Sequence, residues 1–318
     1  MKLRFDNKVE FYITNVCNYT CNNCNRFNNH KFSGWQRWSD YEETYRRWAE
    51  LIELQAIVVM GGEPTLNPTV NEWVVGLNQI FDCDVQVLTN ATRLNETPGL
   101  YETMLVESPK RRARNHIGIS LHNMADFEML RDNIMDFLDD GVIEFGQHLG
   151  IPAPTTVPNY NAFYSAVDKN GVMVNMWVSN NFSTAAVQLN QAGKFTLHNS
   201  DPRKSHSQCG FVEYKSYHFI RGNIYKCGPA ALLPEFDEQH QLDISEEDRR
   251  IVHSYVPLTV NNFEQYKDEW VESLKNPIPQ CKFCAENPRA AIITPTRKGK
   301  AFKINTWSES IWHKSKTH

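Results

Sequence analysis

The chain has 318 residues, 41% hydrophobic and 22% charged, with a formal net charge of −4 and a pI near 6.3. That balance gives no whole-protein argument for nucleic acid or an anionic membrane. No run of about eighteen apolar residues predicts a transmembrane helix. The start, Met1 to Asp6, lacks the apolar centre of a signal peptide. Eight cysteines without a secretion signal point to a reducing compartment, so the expectation is a cytoplasmic protein whose thiols bind metal rather than pair.

In chain order, Val9–Thr14 reads as a strand, and Ser39, with Glu42 three residues on, as the cap of a helix whose inner face carries Tyr41, Tyr45, Trp48 and Ile52. Ala56–Met60 is a short apolar run of the kind found in buried parallel strands. Asn67-Pro68 opens a second helix. Further strands are expected at 84–89, 116–121, 142–148 and 173–178, with helices at 96–106, 125–138, 161–168 and 183–192. Strand starts at 9, 56, 84, 116, 142 and 173 recur, after a long first unit, at the spacing of a strand plus a crossover helix. The predicted fold class is therefore α/β, with six β/α units. Six units suit a partial barrel, and strand count alone leaves a doubly wound open sheet as the alternative.

The pattern changes near residue 200. Tyr217–Ile220 and Ile224–Cys227 flank Arg221-Gly222-Asn223, a hairpin signature, and helical stretches are expected at 244–255 and 262–274. The expected organisation is residues 1–199 as the main α/β domain, 200–295 as a smaller α+β domain, and 296–318 as a tail. From Arg297 onward that tail has six Lys/Arg against one acidic residue.

The chemistry starts at Cys17, Cys21 and Cys24, spaced C-x3-C-x2-C in the loop after the first strand. Zinc asks for four ligands to close a tetrahedron. A cubane [4Fe-4S] cluster held by three thiolates leaves one iron open for a ligand. Gly61-Gly62-Glu63-Pro64 ends the second strand, beside that loop, and Glu63 can receive a cationic amine. In parallel α/β folds such strand ends carry function, which also selects Thr89, Asn90 and Ser120, then His122, Gln147, His148, Ser179 and Asn180. The remaining thiols are Cys83, just before the third strand, and a set of four, Cys209, Cys227, Cys281 and Cys284. Four thiolates close either an all-cysteine zinc site or a full [4Fe-4S] cluster.

The CxxxCxxC loop followed by GGEP resembles the radical S-adenosylmethionine (SAM) superfamily. The resemblance implies a partial (β/α)6 TIM-like barrel in which the open iron chelates SAM. It places Tyr19, Asn23, Gly61, Gly62, Glu63, Pro64, Thr89, Asn90 and Ser120 around that cofactor. Asn23 departs from the pattern, since an aromatic residue commonly stands before the third cysteine. Residues 200–290 resemble the twitch domain, a shortened SPASM module with an auxiliary [4Fe-4S] cluster, close to that of the aminocyclitol dehydrogenases.

The same resemblance implies an oxidoreductase that cleaves SAM reductively to a 5'-deoxyadenosyl radical and oxidises a small molecule by two electrons. His148 is the candidate base, with His122 and Gln147 facing the substrate and a flavodoxin or ferredoxin as reductant. Cys83, at the far end of the barrel, is not placed to return a hydrogen atom, which favours oxidation over epimerisation. Within the class the alternative is a peptide-modifying maturase or epimerase. Outside it stand a non-catalytic iron–sulfur carrier or sensor and a zinc-bearing module.

Overall fold

The computed structural model describes residues 2–109, 115–139, 146–148, 163–179, 181–182, 184–214, 216–287, 291–292 and 296–297. Nine strands form the main sheet: β1 (Leu3–Tyr12), β2 (Ile52–Met60), β3 (Asp84–Thr89), β4 (Asn115–Leu121), β5 (Gly146–His148), β6 (Phe163–Val167), β7 (Met173–Val178), β8 (Tyr217–Ile220) and β9 (Asn223–Tyr225). Their spatial order is β9-β8-β1-β2-β3-β4-β7-β6-β5. From β8 to β7 every pairing is parallel, while β9, β6 and β5 are added antiparallel to their neighbours. The fold is mixed α/β with a mostly parallel sheet.

Alternation along the strands gives the two faces different work. The in-register row Phe11, Val59, Val87, Ile117 and Val174 lies on one face. It packs in a single core with Trp48 of α1 (Glu42–Leu51), Trp73, Val74 and Leu77 of α2 (Val70–Phe81), Leu100 of α3 (Leu100–Met104) and Ile134 of α4 (Phe127–Phe137). Each of these large side chains, fully buried, contributes about 1.5–3 kcal/mol. Glu10, Met60, Leu88 and Ser120, from the same strands, line a cavity instead. Among the described residues the crossover helices α1 to α4 thus cover one face and leave the other to the cavity. That arrangement is consistent with a partial barrel, whereas a doubly wound sheet has helices on both faces.

Several expectations are corrected. Ser39 does not cap α1: it lies in the 3-10 turn Trp38–Asp40, and Tyr41 precedes the helix without a side-chain cap bond. The helix expected at 161–168 is strand β6, and the segment at 183–192 contains Val187–Leu189, a strand paired with Phe195–Leu197. Phe163-Tyr164-Ser165-Ala166-Val167 is aromatic and β-branched at its ends, so pairing with β7 outweighs a weak helical pattern. Of the strand expected at 142–148, residues 142–145 lie outside the described residues. Residues 146–148 form β5 at the outer edge, beyond β6, so the parallel neighbour of β4 is β7.

The sheet also crosses the 199/200 boundary. Val9, Glu10 and Phe11 of β1 pair in register with Tyr217, His218 and Phe219 of β8. The turn after β8 is fixed to α1, where Trp48 Nε1 donates to the Gly222 carbonyl at 2.7 Å and Tyr45 Oη accepts from Gly222 N at 3.2 Å. Beyond the hairpin, the helix Gly228–His240 supplies Leu232, Leu233 and Phe236 to a second core with Tyr12, Phe27, Phe32 and Ile220. Among the described residues no helix is long and apolar enough to cross a membrane.

Candidate active site

A cavity of about 650 Å³ opens at the carboxyl ends of the parallel strands, lined by Cys17, Cys21 and Cys24 and by Cys209, Cys227, Cys281 and Cys284. Cys83 is not with them; it is buried in the helix-side core at the start of β3.

The first three cysteines are fixed through the backbone. Beyond the strand ends, the chains leaving β1 and β2 stay paired: Ile13 N donates to Met60 O at 2.8 Å, Gly62 N to Thr14 O at 2.7 Å, and Glu63 N to Val16 O at 2.7 Å. A Cβ on Gly61 would lie 2.5 Å from the Thr14 carbonyl oxygen, and one on Gly62 would lie 2.2 Å from that of Val16. The glycines therefore set how closely the GGEP turn abuts the cysteine loop, where the sequence suggested ligand approach. Asn23 holds a left-handed backbone (φ 60°), which Asn tolerates better than most residues. Asn28 Oδ1 lies 3.4 Å from Cys24 Sγ, while Asn28 Nδ2 donates to Tyr12 Oη at 3.2 Å.

Glu63 is 1% exposed and faces the same cavity. Its Oε1 accepts from Thr89 Oγ1 at 2.6 Å, Thr65 Oγ1 at 2.7 Å and Thr65 N at 3.2 Å, and its Oε2 accepts from Asn90 N at 2.8 Å. Burial raises its pKa, and these four donors oppose that rise. Oε1 is crowded by three donors, whereas Oε2 takes one and has room for a further donor. Thr89 and Asn90, expected against SAM, thus build the socket of Glu63. The Asn90 amide also reaches Asn18 Oδ1 at 2.8 Å, tying the end of β3 to the cysteine loop. Pro64 starts the 3-10 turn Pro64–Leu66 that Glu63 caps.

Tyr19 is buried, its Oη 3.3 Å from Asp126 Oδ2. Ser120 and His122 line the cavity. His122 Nδ1 sits 2.8 Å from the Ser179 carbonyl and donates to it, and burial keeps the ring's pKa low. Gln147 and His148 fall on edge strand β5, where the register Ser120–Trp177–Phe163–His148 sets His148 three strands from Ser120. At one strand spacing each, that is about 14 Å across the sheet. Asn180 lies outside the described residues.

Glu10 and Arg26, which also line the cavity, belong to a group that the sequence motifs do not reveal. Arg26 Nη2 pairs with Glu10 Oε2 at 2.5 Å, and His218 Nε2 approaches the same oxygen at 2.7 Å. His218 and Arg26, beside Glu10, hold its carboxyl down to about 2 despite burial. A signal for it was present, since Glu10 is the acidic residue in Val9-Glu10-Phe11-Tyr12, opposite in phase to the core residues Val9 and Phe11.

The second cysteine set is assembled from distant segments. Cys209 follows the helix Pro202–Ser207, Cys227 precedes the helix Gly228–His240, and Cys281 and Cys284 flank the end of the turn Pro279–Phe283. That turn is docked by Ser205 Oγ donating to Cys284 O at 2.9 Å and Ser200 N to Lys282 O at 2.9 Å. Cys284 feels the charges of Cys227, Cys209 and Cys281, so the four thiols converge.

Burial pushes the thiols up, Cys21 and Cys227 to about 12 and Cys17 and Cys284 well above their usual range. Such thiols stay protonated until a metal centre takes the proton's place. Thiol donors are what iron–sulfur clusters take, so the donor chemistry of both sets fits such clusters, and the four-thiol set also suits zinc.

Comparison with known proteins agrees with the first set. Residues 11–137 match the family model described as the Radical SAM superfamily. No curated protein gives a match. Among solved structures, SuiB of Streptococcus suis bound to S-adenosylmethionine is 16% identical with a TM-score of 0.31, over 39% of this chain and 27% of that one. SuiB bound to the precursor peptide SuiA is 16% identical with a TM-score of 0.32, over 39% of this chain and 26% of that one. The match thus spans about a quarter of the SuiB chain. The three-cysteine loop and Gly61–Pro64 both lie inside the segment that matches the Radical SAM superfamily model.

Proposed function

We propose that the chain is a radical SAM oxidoreductase built on a partial (β/α)6 barrel, with a second, auxiliary [4Fe-4S] site supplied by the region 200–295. The observation that carries this reading is the single cavity onto which both cysteine sets open. Cys17, Cys21 and Cys24 would hold the cluster that binds SAM. Cys209, Cys227, Cys281 and Cys284 would hold the other. When bound, these groups supply an electron that cleaves SAM to a hydrogen-abstracting adenosyl radical, and a sink for the electron that the substrate gives up.

The chain's own residues bind, orient and enclose. Glu63 Oε2, with room for a further donor, receives the amino group of SAM, and Thr65, Thr89 and Asn90 hold its carboxylate in place. Ser120 and His122 line the wall beside it. Glu10, neutralised by Arg26 beside a His218 whose pKa burial lowers, gives the cavity a polar floor without a net charge. The substrate in this reading is a small molecule held between the two sets.

Iron, acid-labile sulfide and zinc counted on one anaerobically reconstituted sample test the reading, together with 5'-deoxyadenosine release after reduction. About eight irons per chain, four for each cubane, and SAM cleavage are expected. About four irons plus one zinc would leave the radical SAM core and remove the electron sink. Iron without SAM cleavage would instead favour an electron carrier or sensor.

A further inference from the structure

The second cysteine set encloses a buried cation. Lys226 is 5% exposed, precedes Cys227 and lines the shared cavity. Its Nζ donates to the Ser273 carbonyl at 2.9 Å, to His206 Nε2 at 3.2 Å and to the Asn276 carbonyl. His206 also hydrogen-bonds the Leu274 backbone, and facing an ammonium, which only donates, its Nε2 is the acceptor. An ammonium has three protons to give and a neutral amine two. Three converging acceptors therefore specify the charged form.

None of those acceptors carries a charge. Burial lowers the pKa of Lys226, and among the described residues the ionisable groups that oppose that fall are Cys281, Cys227 and Cys209. A buried ammonium without an anion is strongly destabilising. The site thus has a cation in place and lacks its counter-charge.

We infer that Lys226 is the counter-charge of an anionic iron–sulfur centre on Cys209, Cys227, Cys281 and Cys284, and that it raises the potential at which that centre takes up an electron. The inference rests on the iron–sulfur reading above. Four thiolates outweigh the positive charge of a cubane core, and reduction makes the centre more negative still. A fixed cation in a poorly solvated site stabilises the reduced form more than the oxidised one. In the proposed reaction one electron leaves the substrate radical for this centre and the substrate's proton leaves to water. Lys226 and His206 touch neither substrate nor reacting atoms in this account, so they are positioning residues.

The test is a redox titration followed by electron paramagnetic resonance. It uses the full chain carrying Cys17→Ala, Cys21→Ala and Cys24→Ala, so that only the second centre reports. Lys226→Met removes the charge and keeps the stem, whereas Lys226→Arg keeps the charge. The expected result is an equilibrium for reduction at least tenfold less favourable in Lys226→Met, a fall of 59 mV for one electron, with Lys226→Arg close to the parent. Loss of iron in Lys226→Met alone, with Lys226→Arg loaded, also supports a counter-charge. Equal potentials in all three proteins would overturn the inference and leave the cluster assignment standing. So would loss of iron in both variants, which would assign Lys226 to packing. A parent chain without iron at the second set would fail the cluster assignment itself and the inference with it.

Discussion

The two cysteine sets share one cavity and are built in opposite ways. Cys17, Cys21 and Cys24 lie within eight residues, on a loop clamped by backbone hydrogen bonds to the Gly61–Glu63 turn. Cys209, Cys227, Cys281 and Cys284 come from separate elements and meet only because side-chain and backbone bonds dock the Pro279–Phe283 turn on its neighbours. Their charges differ too. The first set faces the buried carboxylate of Glu63, and the second faces the buried ammonium of Lys226. In the proposed reading the first is a socket for a ligand with a positive group, the second for a centre with excess negative charge.

Removing one thiol from each set breaks the comparison most severely. Cys17→Ala is expected to abolish 5'-deoxyadenosine formation while the second set keeps about four irons. Cys281→Ala is expected to leave SAM cleavage in place and abolish formation of oxidised product. Identical behaviour of the two variants would mean that the sets do not act separately. Gly62→Val comes next, since its Cβ would collide with the Val16 carbonyl. With backbone on both sides of the clash, the cost is about 1–3 kcal/mol or more, read as a lower denaturation midpoint. Iron should be lost from the first set and kept by the second.

Glu63→Gln addresses the charge difference directly. The amide removes the negative charge and turns an NH2 group toward donors that now meet an oxygen. A hydrogen bond to a charged group is worth about 1.5–3 kcal/mol, so SAM affinity should fall about ten- to hundredfold, measured by equilibrium binding to the loaded protein. The spectrum of the second centre should not change. Unchanged SAM affinity would remove Glu63 from the amine site.

How much of this was legible in the sequence divides along the same line. The first site is local, and its motif spacing and the strand-end position of Glu63 are visible without coordinates. The roles of Gly61, Gly62, Thr89 and Asn90 were not, because they act on one another: the glycines fit the loop, and the polar pair holds Glu63. In the second half, the Arg221-Gly222-Asn223 turn signature identified the hairpin, expected over 217–227 and found over 217–225, but not its partner, since parallel pairing with β1 across some 200 residues leaves no local trace. Lys226 was equally hidden. A lysine beside a cysteine reads as surface until Ser273, Asn276 and His206 are seen around it. The segment 161–168 misled because a five-residue strand at an antiparallel edge has too few positions to outvote a helical pattern.

The joint between the two regions supplies the smallest effect. His30 lies just after the first cysteine loop and His240 ends the helix after Cys227, and both rings pack on Phe195 and Phe236, with centroids 4.4–6.0 Å apart. Burial, with the neighbouring His240, lowers the pKa of His30 from 6.5 to about 4. In the unfolded chain His30 takes up a proton near pH 6.5, and in the folded chain only near pH 4, so acid favours unfolding between those values. Stability from this joint is therefore complete above pH 6.5 and declines as pH falls toward 4. His30→Phe keeps a ring in the cluster and removes the titration. As pH drops from 7 to 4, the denaturant midpoint of the parent should fall further than that of the variant. Parallel curves would show that His30 does not sense protons at the joint between the regions.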